Sequence, residues 1–355
     1  MINELIAGKK NVVILTHMSP DGDAMGSSLG FWWWLKQKNT CPDFAAHVIV
    51  PNPFPDFLSW LPAAEDIVIY DKKREQAEQL LETADIVVIL DFNEPKRIGS
   101  LGTKFLEVLQ AKGDALQVLV IDHHLVSAER TVPDTQNITQ YIDPTKTSTC
   151  QFVFELLFPL AGNQLPSREV ATCLYTGLMT DTGNFAFNSN QPVLYEIIAR
   201  LVAAGADKDD IYNRVFNAWS AERMKLVGYC LYRKMRIFPE KHTALIYLSG
   251  KELYPFNFKP GDAEGIVNMP LQIKDVYYSC FMREDKVQPF EEQFANGSKK
   301  KIKISMRSQG DRPVNTFCHD IFNGGGHKNA SGGEFYGPLE EAVKLFLENY
   351  PKYFV

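Results

Sequence analysis

The chain is 355 residues long, 45% hydrophobic and 23% charged, the balance of an ordinary soluble protein with length enough for two cores. Its formal net charge of -6 excludes a protein that coats long nucleic acid, which needs a broadly basic surface. Any nucleic-acid chemistry is therefore expected in a pocket or a short groove. The 6 cysteines (Cys41, Cys150, Cys173, Cys230, Cys280, Cys318) are scattered, without a Cys-x-x-Cys pair, and read as reduced, mostly buried thiols rather than a zinc cluster or a disulfide framework. No charged-then-apolar leader comes after Met1, and no apolar run approaches the roughly 18 residues of a membrane span, so cytoplasm is the expected address.

The first half alternates short apolar runs with helical patterns. Asn11–Thr16, Ala46–Val50, Asp66–Tyr70, Ile86–Leu90 and Leu116–Ile121 are β-branched runs bounded by polar or turn residues. Several lack polar alternation, as strands buried on both faces do. Helices are expected between them at Ala24–Lys38, Lys72–Glu82 and Leu101–Lys112, and that alternation predicts a parallel α/β sheet. The pattern then turns helical, with helices predicted at Cys150–Leu160, Ser167–Met179, Val193–Ala203, Asp209–Asn217 and Ala221–Arg236. Strands are expected at Thr243–Leu248, Tyr277–Arg283 and Lys301–Arg307, a polar hairpin tip at Glu284–Lys300, and a closing helix at Pro338–Asn349. The expected organisation is an α/β protein with a parallel-sheet catalytic domain (1–220), a helical connector (221–240) and a smaller α/β substrate-binding domain (241–355).

The informative residues stand directly after the buried strands. NVVILT runs into His17, Asp21 and Asp23; IVVIL runs into Asp91; LQVLVI runs into Asp122, His123 and His124. Three strands thus deliver carboxylates and imidazoles at their C-terminal ends, where open α/β sheets place their ligand crevice. Asp181 comes after an apolar helix, beside a glycine that lets backbone approach a ligand closely. Each of these alone is most simply a helix cap, a turn or a structural histidine; their joint placement is what points to chemistry. Gathered in one cleft they repel one another unless cations neutralise them. A mixed imidazole and carboxylate set suits manganese better than an all-oxygen cage for magnesium or calcium, and there are ligands enough for two metals sharing a carboxylate, the clamp used in phosphoryl transfer.

His17-x-x-x-Asp21-x-Asp23, Asp91, Asp122-His123-His124 and Asp181 resemble, in order, the four motifs of the DHH phosphoesterases, a superfamily that includes the RecJ exonucleases and the family II inorganic pyrophosphatases. Gly324-Gly325-Gly326-His327-Lys328-Asn329-Ala330-Ser331-Gly332 resembles the glycine-rich signature of the DHH-associated C-terminal domain. In length and layout the chain is most similar to the bacterial nano-RNase and 3'-phosphoadenosine-5'-phosphate (pAp) phosphatase group. The resemblance implies His17, Asp21 and Asp91 as ligands of a first metal, and Asp23, Asp91, His123 and Asp181 as ligands of a second, with Asp91 bridging and a water between the metals as nucleophile. It implies that His124 meets the scissile phosphate or leaving oxygen, with Asp122 orienting a histidine from behind.

On the substrate side, Gly324, Gly325 and Gly326 are expected to form a backbone N–H nest, joined by His327 and the start of a helix as anion donors. Arg307 and Ser308, at a strand end, resemble the family's phosphate-binding segment, and arginine grips phosphate bidentately. Arg97 is a second candidate, against an ordinary exposed loop arginine. Phe31-Trp32-Trp33-Trp34 points all round its helix and reads as packing rather than a base-stacking platform. Lys299 to Lys303 reads as a solvated edge that discourages sheet pairing. The implied substrates are short RNA or small nucleotides, giving mononucleotides from oligomers or AMP from pAp, with no membrane and no long nucleic acid as partners and homodimerisation left open. Rival readings are hydrolysis of linear or cyclic dinucleotides, exopolyphosphatase activity, and a nucleotide-sensing module without catalysis, whose mark would be a missing metal ligand.

Overall fold

The computed structural model describes residues 2–39, 41–125, 135–259, 261–287 and 300–354. It divides into two compact units, Met1–Ala218 and Trp219–Val355, each with its own sheet. In the first unit the strands β1 (Asn11–Leu15), β2 (Ala45–Val50), β3 (Val68–Ile69), β4 (Ile86–Leu90), β5 (Gln117–Asp122) and β6 (Ile138–Ile142) form one parallel sheet in the order β3-β2-β1-β4-β5-β6. The side chains alternate between two apolar layers. Val12, Ile14, Val88 and Ile121 enter one core, while Val13, Leu15, Val87 and Val120 enter the other. Helices cover both faces: α1 (Ile2–Ile6), α2 (Gly22–Lys38), α5 (Thr149–Leu157), α6 (Arg168–Asp181), α7 (Pro192–Ala203) and α8 (Lys208–Phe216) contribute to the first, α3 (Arg74–Thr83) and α4 (Gly99–Lys112) to the second. That double covering is why the strands read as unbroken apolar runs. The order reverses between β1 and β4, so the crevice of the sheet opens where those two strands end. β6, interrupted by polar residues, is the strand that hydropathy did not predict.

The second unit begins with α9 (Ala221–Tyr229), continued by one wide helical turn, Cys230–Lys234. This segment was expected as a connector reaching Arg236; instead Leu226, Val227 and Cys230 pack inside the unit against Ile246, Leu248 and Phe281, and Arg236 already belongs to a strand. The sheet consists of β7 (Arg236–Phe238), β8 (Thr243–Leu248), β9 (Tyr278–Glu284), β10 (Lys301–Ser308), β11 (Gly325–His327) and β12 (Ala330–Tyr336), in the order β11-β12-β10-β9-β8-β7. Among these described strands only β8 and β9 run parallel. The short helix α10 (Gly250–Leu253) comes after β8, while α11 (Asn315–Phe322) and α12 (Leu339–Tyr353) cover one face with an aromatic core around Phe317, Phe322 and Phe346. Most of the polar tip expected at Glu284–Lys300, and Lys299 with it, lies outside the described residues. Lys301 and Lys303 are not at a sheet edge as expected: β10 sits between β12 and β9, and their ammonium groups pair with Glu334 at 2.6 Å and Asp285 at 3.2 Å. Of the cysteines, Cys41 is exposed and the other five are buried as free thiols. No helix among the described residues is long and apolar enough to cross a membrane.

One helix pair in the first unit packs backbone to backbone. On α2, Gly22, Gly26 and Gly30 recur every four residues and so form one stripe. A Cβ on them would lie 2.2 Å from the Thr180 side chain, 2.5 Å from the Cys173 carbonyl oxygen and 2.8 Å from Leu174, all on α6. From the other side, a Cβ on Gly177 would meet Cys150 Sγ at 2.2 Å and Asp23 Oδ1 at 2.9 Å. The seam therefore sets the separation between the start of α2, which carries Asp23, and the end of α6, which carries Asp181. Gly26→Ala has no flexible neighbour to displace, since its closest contact is backbone. It is expected to destabilise the first unit by about 1–3 kcal/mol, read as a lower denaturant midpoint. Gly228→Ala, in α9 with nothing within 4 Å of the added carbon, is expected to stabilise by roughly 0.5–1 kcal/mol.

Candidate metal centre

The crevice collects its side chains from strand ends and two helix ends. His17 comes after β1 and Asp91 after β4, the two strands at which the sheet order reverses, and their Nε2 and Oδ2 atoms are 3.2 Å apart. Asp122 ends β5, and His123 and His124 continue from it. Asp21 is the N-cap of α2: its Oδ1 accepts the Asp23 and Ala24 amides, both at 3.0 Å. Capping the helix leaves that carboxylate within reach of the cluster, its Oδ1 being 3.9 Å from His17 Nε2. Asp23, buried in the first turn of α2, accepts the Thr149 and Cys150 amides at 2.6 and 2.9 Å. These are the first amides of α5, where a helix favours negative charge. Asp181 is the last residue of α6. Asp91 is held at φ +67°, a left-handed conformation that aspartate tolerates but that costs energy at a strand end.

Around His123 the geometry is that of ligands spaced for a cation. Its Nε2 lies 3.7 Å from Asp23, 3.5 Å from Asp91 and 3.6 Å from Asp181 carboxylate oxygens. These distances are too long for good hydrogen bonds and close to the roughly 3.0–3.5 Å edges of a coordination shell whose ligands sit about 2.1 Å from a metal. The other ring nitrogen, Nδ1, donates to the Lys146 carbonyl at 3.2 Å. His17 Nδ1 likewise donates to the Met18 carbonyl at 3.0 Å. A carbonyl only accepts, so each bond fixes the proton on Nδ1 and turns Nε2 toward the carboxylates, the outer support typical of metal-binding histidines. His17, Asp21 and Asp91 form one group able to hold an ion, and Asp23, His123 and Asp181 another. Asp91 reaches both, through Oδ2 to His17 and Oδ1 to His123. The residues present fit divalent cations.

Burial and the neighbouring charges pull the proton affinities of the cluster in opposite directions. Burial pushes the His123 ring toward neutrality, but its pairing with Asp91 and the charges of Asp181, Asp91 and Asp23 reverse this and hold its pKa well above the usual value. His17 is raised in the same way, burial being outweighed by Asp91 and Asp21. Burial and the neighbouring Asp91 and Asp181 raise Asp23 well above the carboxylate range. Asp91 goes the other way: burial would raise it, but His123 and His17 hold it well below. His124 is different. Burial lowers its pKa, against the bond its Nδ1 makes to Asp122 Oδ1 at 2.8 Å, and nearby Arg97 lowers it further.

Two supporting residues carry no signal in the sequence. The Thr149 hydroxyl donates to Asp91 Oδ1 at 2.9 Å while its amide donates to Asp23, so one residue orients two carboxylates. Asn93 Nδ2 donates to Asp122 Oδ2 at 2.7 Å. Ser148 caps α5, and that cap signal in TSTC marks the helix start. Nothing local announces that the start meets carboxylates 58 and 126 residues away.

Arg97 lies in the Pro95–Ile98 turn, and its carbonyl accepts the Met18 amide at 2.9 Å; it bears electrostatically on both His17 and His124. In the second unit, sheet register sorts the remaining candidates. Arg307 pairs with Ala330, which pairs with His327, so Arg307 and His327 stand in one row on the face of the sheet opposite α11 and α12. Ser308 faces the other way, is buried, and donates its hydroxyl to the Arg312 carbonyl while accepting from Asn329. It closes a loop instead of facing outward with Arg307. No helix starts at His327, contrary to expectation. Gly325–His327 is strand β11, turned through Lys328 and Asn329 into β12. Gly324 and Gly326 are required by close approach, since added carbons would lie 1.8 and 2.7 Å from the Gly332 and Ala330 carbonyl oxygens. β11 is the end strand of its sheet, so the expected glycine nest is an edge strand instead. The tryptophan run packs as expected: Phe31 and Trp34 are buried, and the Trp32 and Trp33 indoles donate to the Ala46 and Pro62 carbonyls.

The profile of the DHH family N-terminal domain matches residues 11–178, the span that holds β1 through most of α6. A protein of Thermus thermophilus named "Bifunctional oligoribonuclease and PAP phosphatase NrnA" is 27% identical over 344 residues, covering 95% of this chain and 88% of its own. The Listeria monocytogenes "Cyclic-di-AMP phosphodiesterase PdeA" is 26% identical over 211 residues, 58% of this chain and 30% of its own. A solved structure from Bacteroides fragilis, titled an exopolyphosphatase-related protein, is 42% identical with a TM-score of 0.84, covering 99% of this chain and 95% of that one. The strand-end ligands, the domain match and the full-length relatives agree: this chain belongs to the DHH family and is a phosphoesterase.

Proposed function

We propose that the chain hydrolyses short oligoribonucleotides to mononucleotides and converts pAp to AMP, using two divalent cations, with manganese as the metal. The observation that carries the two-cation reading is Asp91, whose two oxygens face His17 on one side and His123 on the other. His17, Asp21 and Asp91 would hold one ion, and Asp23, Asp91, His123 and Asp181 the other. Bound there, the cations supply neutralisation of phosphate charge and a water of lowered pKa. The protein's own residues do the rest. Asp122, oriented by Asn93, accepts the Nδ1 proton of His124 and so aims that ring's Nε2 at the departing ester oxygen. Arg97 adds positive charge beside His17 and His124. Arg307 and His327, in one row with the Gly325 edge strand, suit the terminal phosphate of a substrate. The roles assigned are catalysis to the first unit and substrate capture to the second, of which 221–240 is part, in the cytoplasm. The full-length similarity to a bifunctional oligoribonuclease and PAP phosphatase supports this choice among phosphate esters.

Asp91→Asn is expected to reduce turnover by roughly a thousandfold or more while leaving the fold intact, and chelation should do the same reversibly, manganese restoring activity better than calcium. Undiminished turnover by a metal-stripped Asp91→Asn protein would defeat the metal reading. The pH dependence has a definite sign. His17, His123 and Asp23 have raised pKa values, so without metal they keep protons to higher pH, and a cation must displace them. Manganese affinity should therefore fall as pH drops below those raised values, by about tenfold per pH unit for each proton displaced. Calorimetry in buffers of different ionisation enthalpy measures the released protons; affinity independent of pH between about 6 and 8 would contradict this.

Substrate length supplies a separate test. The anion-binding groups assigned here can hold only a substrate end, and a chain of net charge -6 offers no extended basic track, so each further phosphate adds repulsion without contact. Turnover per enzyme should fall steeply from two- to five-nucleotide RNA to a 24-mer, with pAp cleaved and polyphosphate poor. Equal kcat/KM for a dinucleotide and a 24-mer at the same salt would favour a processive exonuclease, and preference for polyphosphate an exopolyphosphatase.

A further inference from the structure

The loop after Asp181 is built to hold one aromatic ring outward. Gly183, Asn184, Phe185 and Asn188 have φ of +55°, +57°, +63° and +51°, a run of left-handed conformations that bulky residues adopt only when their surroundings impose it. The Thr182 side chain and main chain impose it here: its hydroxyl accepts the Phe185 amide at 3.0 Å, and its carbonyl accepts the Ala186 and Phe187 amides at 2.9 and 3.1 Å. The two phenylalanines divide. Phe185 turns inward to an edge-on contact with Tyr175, centroids 5.9 Å apart. Phe187 remains 47% exposed, its ring lying so close over Gly183 that a Cβ there would be 2.2 Å from Cε1. Gly183 supplies the positive-φ backbone, and its bare Cα is the floor beneath the ring. That floor is two residues from Asp181, whose carboxylate is 3.6 Å from His123 Nε2. A second exposed apolar side chain, Met18 at 49%, is next in sequence to His17. Isolated surface apolar residues are common and need no function; a ring carried on a loop whose backbone is held by this many hydrogen bonds, beside the Asp181 end of α6, is a different case.

We propose that Phe187 is a specificity-determining residue whose ring stacks on the nucleobase next to the scissile phosphate, so that the first unit reads base as well as phosphate. This rests on the functional reading above and adds a subsite to it. Any base presents a π-face, so such a platform admits all four bases and rejects phosphate chains that carry none. The fixed backbone matters, because a loop already ordered loses little further freedom when a base lands on the ring it carries.

The test uses the full-length, manganese-loaded protein and two matched substrates, a 5'-phosphorylated diadenylate and the same compound with an abasic ribose at the position beside the cleaved bond. Phe187→Ala is expected to lower the preference for the base-bearing substrate, as a ratio of kcat/KM values, on the order of tenfold, chiefly through KM. Phe187→Trp should retain the preference. An unchanged ratio in Phe187→Ala, with the wild type active on the diadenylate, overturns the stacking role alone. Equal losses on both substrates in Phe187→Ala and Phe187→Trp assign the ring to loop structure and overturn it as well. A wild type inactive on the diadenylate but active on another phosphate ester defeats the functional reading, and this proposal falls with it.

Discussion

Three aspartates gathered around one imidazole in a water-poor crevice are the constraint on which the rest of this structure depends. Asp23 and Asp91 are almost fully buried and Asp181 about a quarter exposed. Like charges this close in low dielectric oppose folding unless a cation or protons compensate them. The opposed shifts of Asp23 and Asp91 express that conflict: burial and like charge push one carboxyl's pKa up, while the two histidines beside the other hold its pKa down. A divalent cation resolves both at once, and the lengths of the His123 contacts leave room for one. Any ion that binds the folded cluster in preference to the unfolded chain also stabilises the fold.

The architecture supplies the convergence. A parallel sheet that reverses order between β1 and β4 ends two adjacent strands at one crevice, and β5, next to β4, adds its own C-terminal residues. Helices contribute through their ends: α2 offers Asp21 at its cap and Asp23 in its first turn, α5 offers amides to Asp23, and α6 ends at Asp181. The glycine seam between α2 and α6 makes that possible, because a helix separation set by side chains would carry Asp23 and Asp181 apart. Thr149 then ties a strand end to a helix start, its hydroxyl on Asp91 and its amide on Asp23. Small errors in any of these would move ligands by distances that matter to a coordination shell.

The second unit uses a different device to assemble polar groups. Antiparallel pairing places Arg307, Ala330 and His327 in one row across β10, β12 and β11, and the period of two puts Ser308 on the opposite face with the core. Glycines at 324 and 326 let β11 press against β12 where any side chain would collide with a carbonyl. β11, an edge strand with two glycines in its three residues, thereby brings His327 into the row of an arginine. Lys301 and Lys303, on the same face, already have carboxylate partners, which keeps positive charge local, consistent with the acidic chain as a whole.

Much of this was legible in the order of residues. The parallel α/β unit could be read because both-face burial demands unbroken apolar strands, and the convergence of the candidate ligands because strand ends are where such sheets bind. His17, Asp21, Asp23, Asp91, Asp122, His123, His124 and Asp181 all stand in one crevice, as their positions after strands and a helix implied. Pairing between distant segments was beyond the reach of residue order. β6 and β12 carry too many polar or glycine residues to register as strands until neighbours supply their hydrogen bonds. The glycine triplet is ambiguous in isolation, because glycine permits nest, turn and strand alike and only contact with β12 selects the strand. Lys301 and Lys303 read as an edge because alternation reports one exposed face and says nothing of neighbours on either side. Thr149 and Asn93 are ordinary polar residues until the fold sets them against Asp91 and Asp122. Local chemistry and periodicity are properties of the chain; hydrogen bonds between segments more than a hundred residues apart, such as that of Thr149 with Asp23, exist only once tertiary packing has brought their ends together.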